Sequence, residues 1–304
     1  MKNTISIFMI SLAAILWGVI ALFVKELADI GFSPMEIVAI RVTVAFVLLV
    51  IVGIAFFRKQ LKVKAKDIPI FLGSGIISIV FFNWCYFTTI NQMNLSLAVI
   101  LLYTAPAIVV LLSRFIFKEK LTTQKIIAVL GTLLGCILIT GIGSTSKDAL
   151  TLAGLLTGLG SGLGYALYSI FGKIALRRYQ PFTITLYTFL FATAFLLPLT
   201  ALWEKAPLLF QPNTIFWGLG LGLLPTVLAY IFYTKGLEKV ESSKAAIIAT
   251  IEPIVATILG IILYHEGMNM FQIVGTGMIF SSVIIVNLQR KNRNFISQSG
   301  ITKV

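Results

Sequence analysis

Apolar residues fall into ten long runs separated by short polar connections, at 5–24, 34–57, 68–90, 95–117, 122–141, 151–174, 182–203, 214–236, 243–264 and 270–288. Each run is about 20 residues long, enough for an α-helix to cross a hydrocarbon layer of ~30 Å. The connections are short, from four residues (Asn91 to Asn94) to ten (Arg58 to Asp67), and leave no room for an extramembrane domain. The pattern predicts an all-α integral membrane protein, with ten transmembrane helices in one bundle.

The second five runs repeat the first. Pro106 recurs as Pro253 and Glu119 as Glu266, 147 residues further on, while Trp17 answers Tyr165 and Lys25 answers Lys173 at a displacement of 148. Because five is odd, the second copy is expected to enter the membrane from the opposite side. The expected units are two inverted-topology five-helix repeats, 1–145 and 146–289, and a polar cytoplasmic tail, 290–304. Repeats of this kind let secondary transporters build two alternating states around one central site. The pattern therefore points to moving a solute across a bilayer.

Composition independently supports a membrane protein. Of 304 residues, 58% are hydrophobic and 12% charged, and the mean hydropathy is +1.00; soluble domains carry roughly a quarter charged residues. Of the 24 Lys and Arg, 20 lie on one side if the N-terminus is cytoplasmic, three lie on the other (Lys25, Lys147, Lys205) and Arg41 lies within a run. The bias places both termini in the cytoplasm of a multi-pass protein of the cell membrane. Because these cations flank many helices and form no single basic face, the net charge of +13 reads as attraction to the membrane surface, with no nucleic-acid partner.

The run after Lys2 is longer than a signal-peptide core and has Trp17 where a small-residue cleavage site would be needed. It is expected to be the first span. Cys85 and Cys136 both fall inside runs, so a disulfide framework is not expected, and no metal-ligand spacing is present. The lone histidine, His265, lies beside Glu266 at an outer helix end. No H-E-x-x-H, nucleophile elbow, dinucleotide fingerprint or phosphate loop occurs. Neither an enzyme, a cofactor nor ATP-driven transport is implied.

Helix-packing signals concentrate in the sixth run, where Gly154, Gly158 and Gly162 recur every four residues beside Gly160 and Gly164. Such spacing lets backbones approach closely in lipid, as scaffold or as a face that slides. Pro106 and Pro253 stand about halfway along the fourth and ninth runs. A mid-helix proline removes a backbone hydrogen bond and bends the helix, giving either a passive kink or a hinge.

Two charges lie deep within runs, Arg41 and Glu252. At 1.5 Å per residue, Arg41 is ~10 Å below one boundary and Glu252 ~13 Å above the other, so a long arginine side chain could bring them together. Each costs roughly 2.5–3.5 kcal/mol near a helix centre, which makes both functional candidates that face protein or water. A structural ion pair is one reading; in the other, Glu252 stands alone and exchanges a proton. Glu36, five residues before Arg41, is about 140° away around the helix and off its face. Trp84, Trp203 and Trp217 near outer ends suit an interfacial belt. Trp17 sits near mid-span, where its indole N–H needs a partner, and Tyr103, Tyr165 and Asn83 join it as candidates to contact substrate.

These residues resemble a family. The run Ile15–Leu16–Trp17–Gly18, the lone Arg41 after Ala39–Ile40, Thr104–Ala105–Pro106, and Glu252–Pro253 with Glu266 thirteen residues beyond the proline look like the EamA branch of the drug/metabolite transporter superfamily, over about residues 5–288. The likeness implies ten helices around a central cavity and movement of small metabolites, commonly amino acids or drug-like compounds. Arg41, Glu252, Glu266 and both prolines match its motif positions. Departures are Lys120 after Glu119, and Ala105 where the second copy has Glu252. The expected site therefore combines Trp17, Arg41, Asn83, Tyr103, Tyr165 and Glu252 around a small zwitterionic molecule, with protons as a candidate coupling ion. A membrane-embedded adaptor or lipid-handling protein is the alternative. A wet, polar-lined cavity favours transport; a dry, filled centre favours the adaptor.

Overall fold

The computed structural model describes residues 2–140, 151–264 and 269–288, and every secondary-structure element among them is helical. Ten long helices follow one another among the described residues: α1 (Thr4–Ile30), α2 (Pro34–Phe56), α3 (Ala65–Gln92), α4 (Leu95–Ile116), α5 (Thr123–Thr140), α6 (Leu152–Ala175), α7 (Pro181–Thr200), α8 (Pro212–Leu237), α9 (Ser242–Leu263) and α10 (Met270–Asn287). Nine are long and apolar enough to cross a membrane. The exception is α6, which has six glycines in 24 residues; glycine adds length without apolar side chain. The chain is an all-α membrane protein. The polar tail and the His265–Glu266 pair lie outside the described residues.

Several ends carry their own stop and start signals. Lys25, Glu26 and Asp29 interrupt the apolar pattern of the first run, yet α1 continues to Ile30, and Lys25 is a helix residue instead of a connection residue. The helix ends at Gly31, whose φ of 116° suits glycine alone. Ser33 and Glu36 then form a capping box ahead of α2, with Pro34 in its first turn. Asn94 caps α4 by accepting from the Leu97 N–H at 2.8 Å, and Thr151 caps α6 by accepting from Gly154 at 3.0 Å.

The helix pairings are unchanged when the two halves are exchanged. α1 lies on α8 as α6 lies on α3, α9 leans on α1 as α4 leans on α6, and α2 faces α7 while α5 faces α10. Large apolar side chains such as Phe8, Phe56, Phe115, Phe216 and Phe271 cover the outside, as a lipid solvent requires. Trp84 and Trp203 are exposed at such outer positions, whereas Trp217 is half-buried and packs its ring 5.8 Å from that of Phe23.

The α6 glycines serve two neighbours. A Cβ on Gly158 would come within 2.2 Å of Leu101 on α4, and one on Gly164 within 2.9 Å of Phe82 on α3. Backbones meet closely between α5 and α10, where a Cβ on Gly275 would stand 2.6 Å from the Gly135 carbonyl oxygen. Two backbones cannot relax as a side-chain tip can. Gly275→Leu is expected to lower stability by about 1–3 kcal/mol, read as an earlier thermal transition in detergent. An unchanged transition would show that the two helices have room to part.

Candidate functional site

Five helices are irregular where they approach the centre. α1 is interrupted at Val19, between segments Lys2–Gly18 and Ile20–Ile30. α4 breaks at Tyr103 and Thr104, and α9 at Thr250 and Ile251, just before the two prolines expected to disturb these helices. Each helix stops before Pro106 or Pro253 and restarts with the proline in its first turn, where the missing N–H costs no bond. The Thr104 and Thr250 hydroxyls fold back onto Leu101 O and Ile247 O, each at 2.6 Å. In α3 and α8, π-helical stretches cover Gly73–Phe81 and Leu223–Leu228, at corresponding places in the two halves. Pro225 in the second has no N–H to give to the α-helical ladder.

A cavity of about 550 Å³ lies among these helices. All six candidate residues, Trp17, Arg41, Asn83, Tyr103, Tyr165 and Glu252, line it, as does Pro253. Pro106 is buried in α4 and does not line it. Towards one end of the bundle the lining continues through Lys25, Pro34, Leu95, Thr140 and Thr257, near the α1–α2 and α3–α4 turns. The cavity opens at that end.

Among the described residues, no ion pair within 4.0 Å joins Arg41 to Glu252. The Glu252 carboxylate accepts from the Tyr165 hydroxyl at 3.1 Å and interacts with Arg41 only at longer range. Tyr86, Tyr103 and Cys136 also surround it closely enough to feel its charge. Arg41 is 6% exposed and keeps its Nε and one Nη without a hydrogen-bond acceptor. Trp17 is equally buried and its Nε1–H is also without an acceptor. Orphaned donors of this kind, beside a cavity and across from a carboxylate, fit an arriving acceptor. Glu36, by contrast, pairs with Lys205 at 2.7 Å.

Asn83, besides lining the cavity, bonds within its own helix. Its Nδ2 donates to Ile79 O on its own helix at 2.8 Å, inside the π-helical stretch. The Trp17 ring is packed by Tyr165, Tyr230 and Tyr233 at centroid distances of 6.1, 5.3 and 5.1 Å. Tyr230 and Tyr86 also line the cavity, and sequence reasoning missed both. The repeat carried the signal: Asn83 recurs as Tyr230 and Tyr86 as Tyr233, each 147 residues on. Gly18 brings α1 against the start of the second α9 segment, where a Cβ would meet Val255 Cβ at 2.6 Å and Glu252 O at 2.9 Å.

The described residues hold no cluster of three or more His, Cys, Asp or Glu able to bind a metal ion. A family model described as "EamA-like transporter family" matches residues 4–141 and 152–288. An uncharacterized transporter of Archaeoglobus fulgidus is 26% identical over 276 residues, covering 91% of this chain and 94% of that protein. The uncharacterized transporter YwfM of Bacillus subtilis is 24% identical over 290 residues, covering 94% and 95%. A solved structure, described only as a crystal structure of a protein, superposes with a TM-score of 0.75 at 17% identity over 93% of this chain and 96% of that one.

Proposed function

The chain belongs to the EamA-like transporter family, and on that premise we propose that it is a secondary carrier exporting a small metabolite by alternating access. Its ten helices form two inverted five-helix repeats in the cytoplasmic membrane, with both termini in the cytoplasm. The solute is an amino acid or a similarly sized drug-like compound. Arg41 and Trp17 receive its carboxylate or other acceptor, Glu252 with Tyr165 receives its ammonium, and Asn83 and Tyr103 border its remaining surface. Pro253 and Pro106 mark the hinges at the α9 and α4 breaks. A proton exchanged at Glu252 is the proposed coupling ion.

The observation that carries this reading is the juxtaposition of unsatisfied donors on Arg41 and Trp17 with a carboxylate that, among the described residues, has the Tyr165 hydroxyl but no ion-pair partner, across an open cavity. A passive adaptor would gain stability by filling such a space and pairing such charges. The adaptor reading therefore has less support.

The test uses Ala21, an exposed residue of the cavity wall. In a Cys85→Ala, Cys136→Ala background, Ala21→Cys is labelled by a membrane-impermeant thiol reagent in proteoliposomes. A panel of radiolabelled amino acids and small metabolites is assayed for exchange in parallel. A solute that exchanges is expected to slow labelling about tenfold at saturation, by filling the cavity. Exchange without protection would move the binding site elsewhere, and absence of exchange across the panel would remove the amino-acid assignment.

A further inference from the structure

At the end of the bundle away from the opening, the interior is filled but not apolar. Between α6, α7 and α8, Ser169 Oγ and Tyr233 Oη lie 2.6 Å apart, and Tyr168 Oη and Thr234 Oγ1 lie 2.8 Å apart. All four are buried, as is Thr185 beside them. A second cavity of about 10 Å³ lies here, bordered by Trp17, Ser78, Tyr165 and Ser169. That is about one water's worth of space, with several polar partners. Interhelical hydroxyl pairs hold helices together in lipid, but packing alone does not call for a water-sized space left among them.

The repeat supplies a reason. Tyr168 and Ser169 answer Ile20 and Ala21 at a displacement of 148, and Thr185, Tyr233 and Thr234 answer Val38, Tyr86 and Phe87 at 147. All five first-half counterparts line the open cavity. Lys173, one helical turn after Ser169, likewise answers Lys25 near the open mouth. The hydroxyl-rich region thus stands where the second half would have its own open cavity.

Specific contacts between the halves shut that end. The Glu119 carboxylate accepts from the backbone N–H of Ser242 at 2.8 Å and of Ser243 at 3.3 Å, and from the Ser243 hydroxyl. Helix α9 has no side-chain cap of its own, so Glu119 caps it from α4's connection. Lys125 bridges Glu119 at 3.3 Å and Glu241 at 3.0 Å. Asp67 accepts from Arg178 at 2.5 Å and from the Tyr179 hydroxyl at 2.7 Å.

We propose that the hydroxyl-lined seam between α6, α7 and α8 is the second half of the solute path, held shut by Glu119 on the α9 N-terminus. When that latch releases, the seam takes up water, beginning at the small cavity beneath Trp17, and then the hydrogen-bonding groups of the solute. Its chemistry differs from that of the open half: hydroxyls replace Ala21, Val38 and Phe87. The inference rests on the carrier reading, and the test separates the two.

Ser169→Cys and its counterpart Ala21→Cys are made in the background without native cysteines, each with and without Glu119→Ala. Oriented vesicles expose the latch side or the opposite side to an impermeant thiol reagent. Loss of the charge-assisted cap is expected to speed labelling of Ser169→Cys from the latch side about tenfold and to slow that of Ala21→Cys from the other side by a similar factor. Thr234→Cys gives the same readout should Ser169→Cys fail to fold. If Ala21→Cys slows while both seam positions stay unlabelled, the seam is wrong and the carrier reading stands. If Glu119→Ala changes no reporter, the latch is wrong. If both sides become faster together, the protein is an open pore and the carrier reading itself falls.

Discussion

Replacing Glu252 by glutamine is expected to slow net solute movement in proteoliposomes about a hundredfold, because losing the anionic partner of a desolvated cation costs on the order of 2–5 kcal/mol. The substitution keeps the shape of the side chain and the hydrogen bond from Tyr165, which donates at 3.1 Å to an oxygen that the amide also has. The fold is therefore expected to survive, with expression and thermal transition close to those of the parent. With no proton to exchange at position 252, the transport rate also becomes independent of a pH gradient. Paired measurements with and without the gradient read both effects. A glutamine variant with the parental rate and the parental pH response would leave the carboxylate without a role in coupling or binding.

How much of this site can be read from the sequence depends on what physical rule each part obeys. Hydrocarbon thickness forces about 20 apolar residues per crossing, so the runs are plain in the sequence, and even α6 is found although its glycines dilute it. Lipid also makes a lone deep charge conspicuous. Arg41 and Glu252 stand out for that reason, and both line the cavity. Whether they pair was not legible, since it turns on side-chain placement across α2 and α9. Backbone irregularity was legible only in part. The prolines announced a disruption, but its place before each proline follows from which N–H groups lack acceptors, and the π-helical stretch of α3 has no proline to announce it.

Contacts distant in sequence were the least legible. Asp67 and Arg178 are 111 residues apart, and Glu119 reaches Ser243 across 124. In the sequence these residues belong to cation-rich connections and look like topology signals alone. Repeat arithmetic recovers some of what a single pass loses. It links Asn83 with Tyr230 and Tyr86 with Tyr233, and so could have put Tyr230 beside Trp17.

Arg41→Met is expected to make the protein more stable and less able to transport. Arg41 is 6% exposed, with Nε and one Nη unsatisfied, and a methionine fills similar length without a buried charge. A buried charge held without a close counter-ion carries a desolvation penalty of roughly several kcal/mol, and relief of that penalty would appear as a later thermal transition in detergent. Transport is expected to fall about a hundredfold, since the fork that receives the solute's acceptor is gone and no neighbouring donor replaces its geometry. Arg41→Lys keeps the charge but not the planar fork, and should fall between the two in both measurements. Opposite movements of stability and transport mark a residue kept for its ligand. A methionine variant that is less stable yet still transports would instead make Arg41 a structural residue, and the cavity's orphaned donors would no longer point to a bound solute.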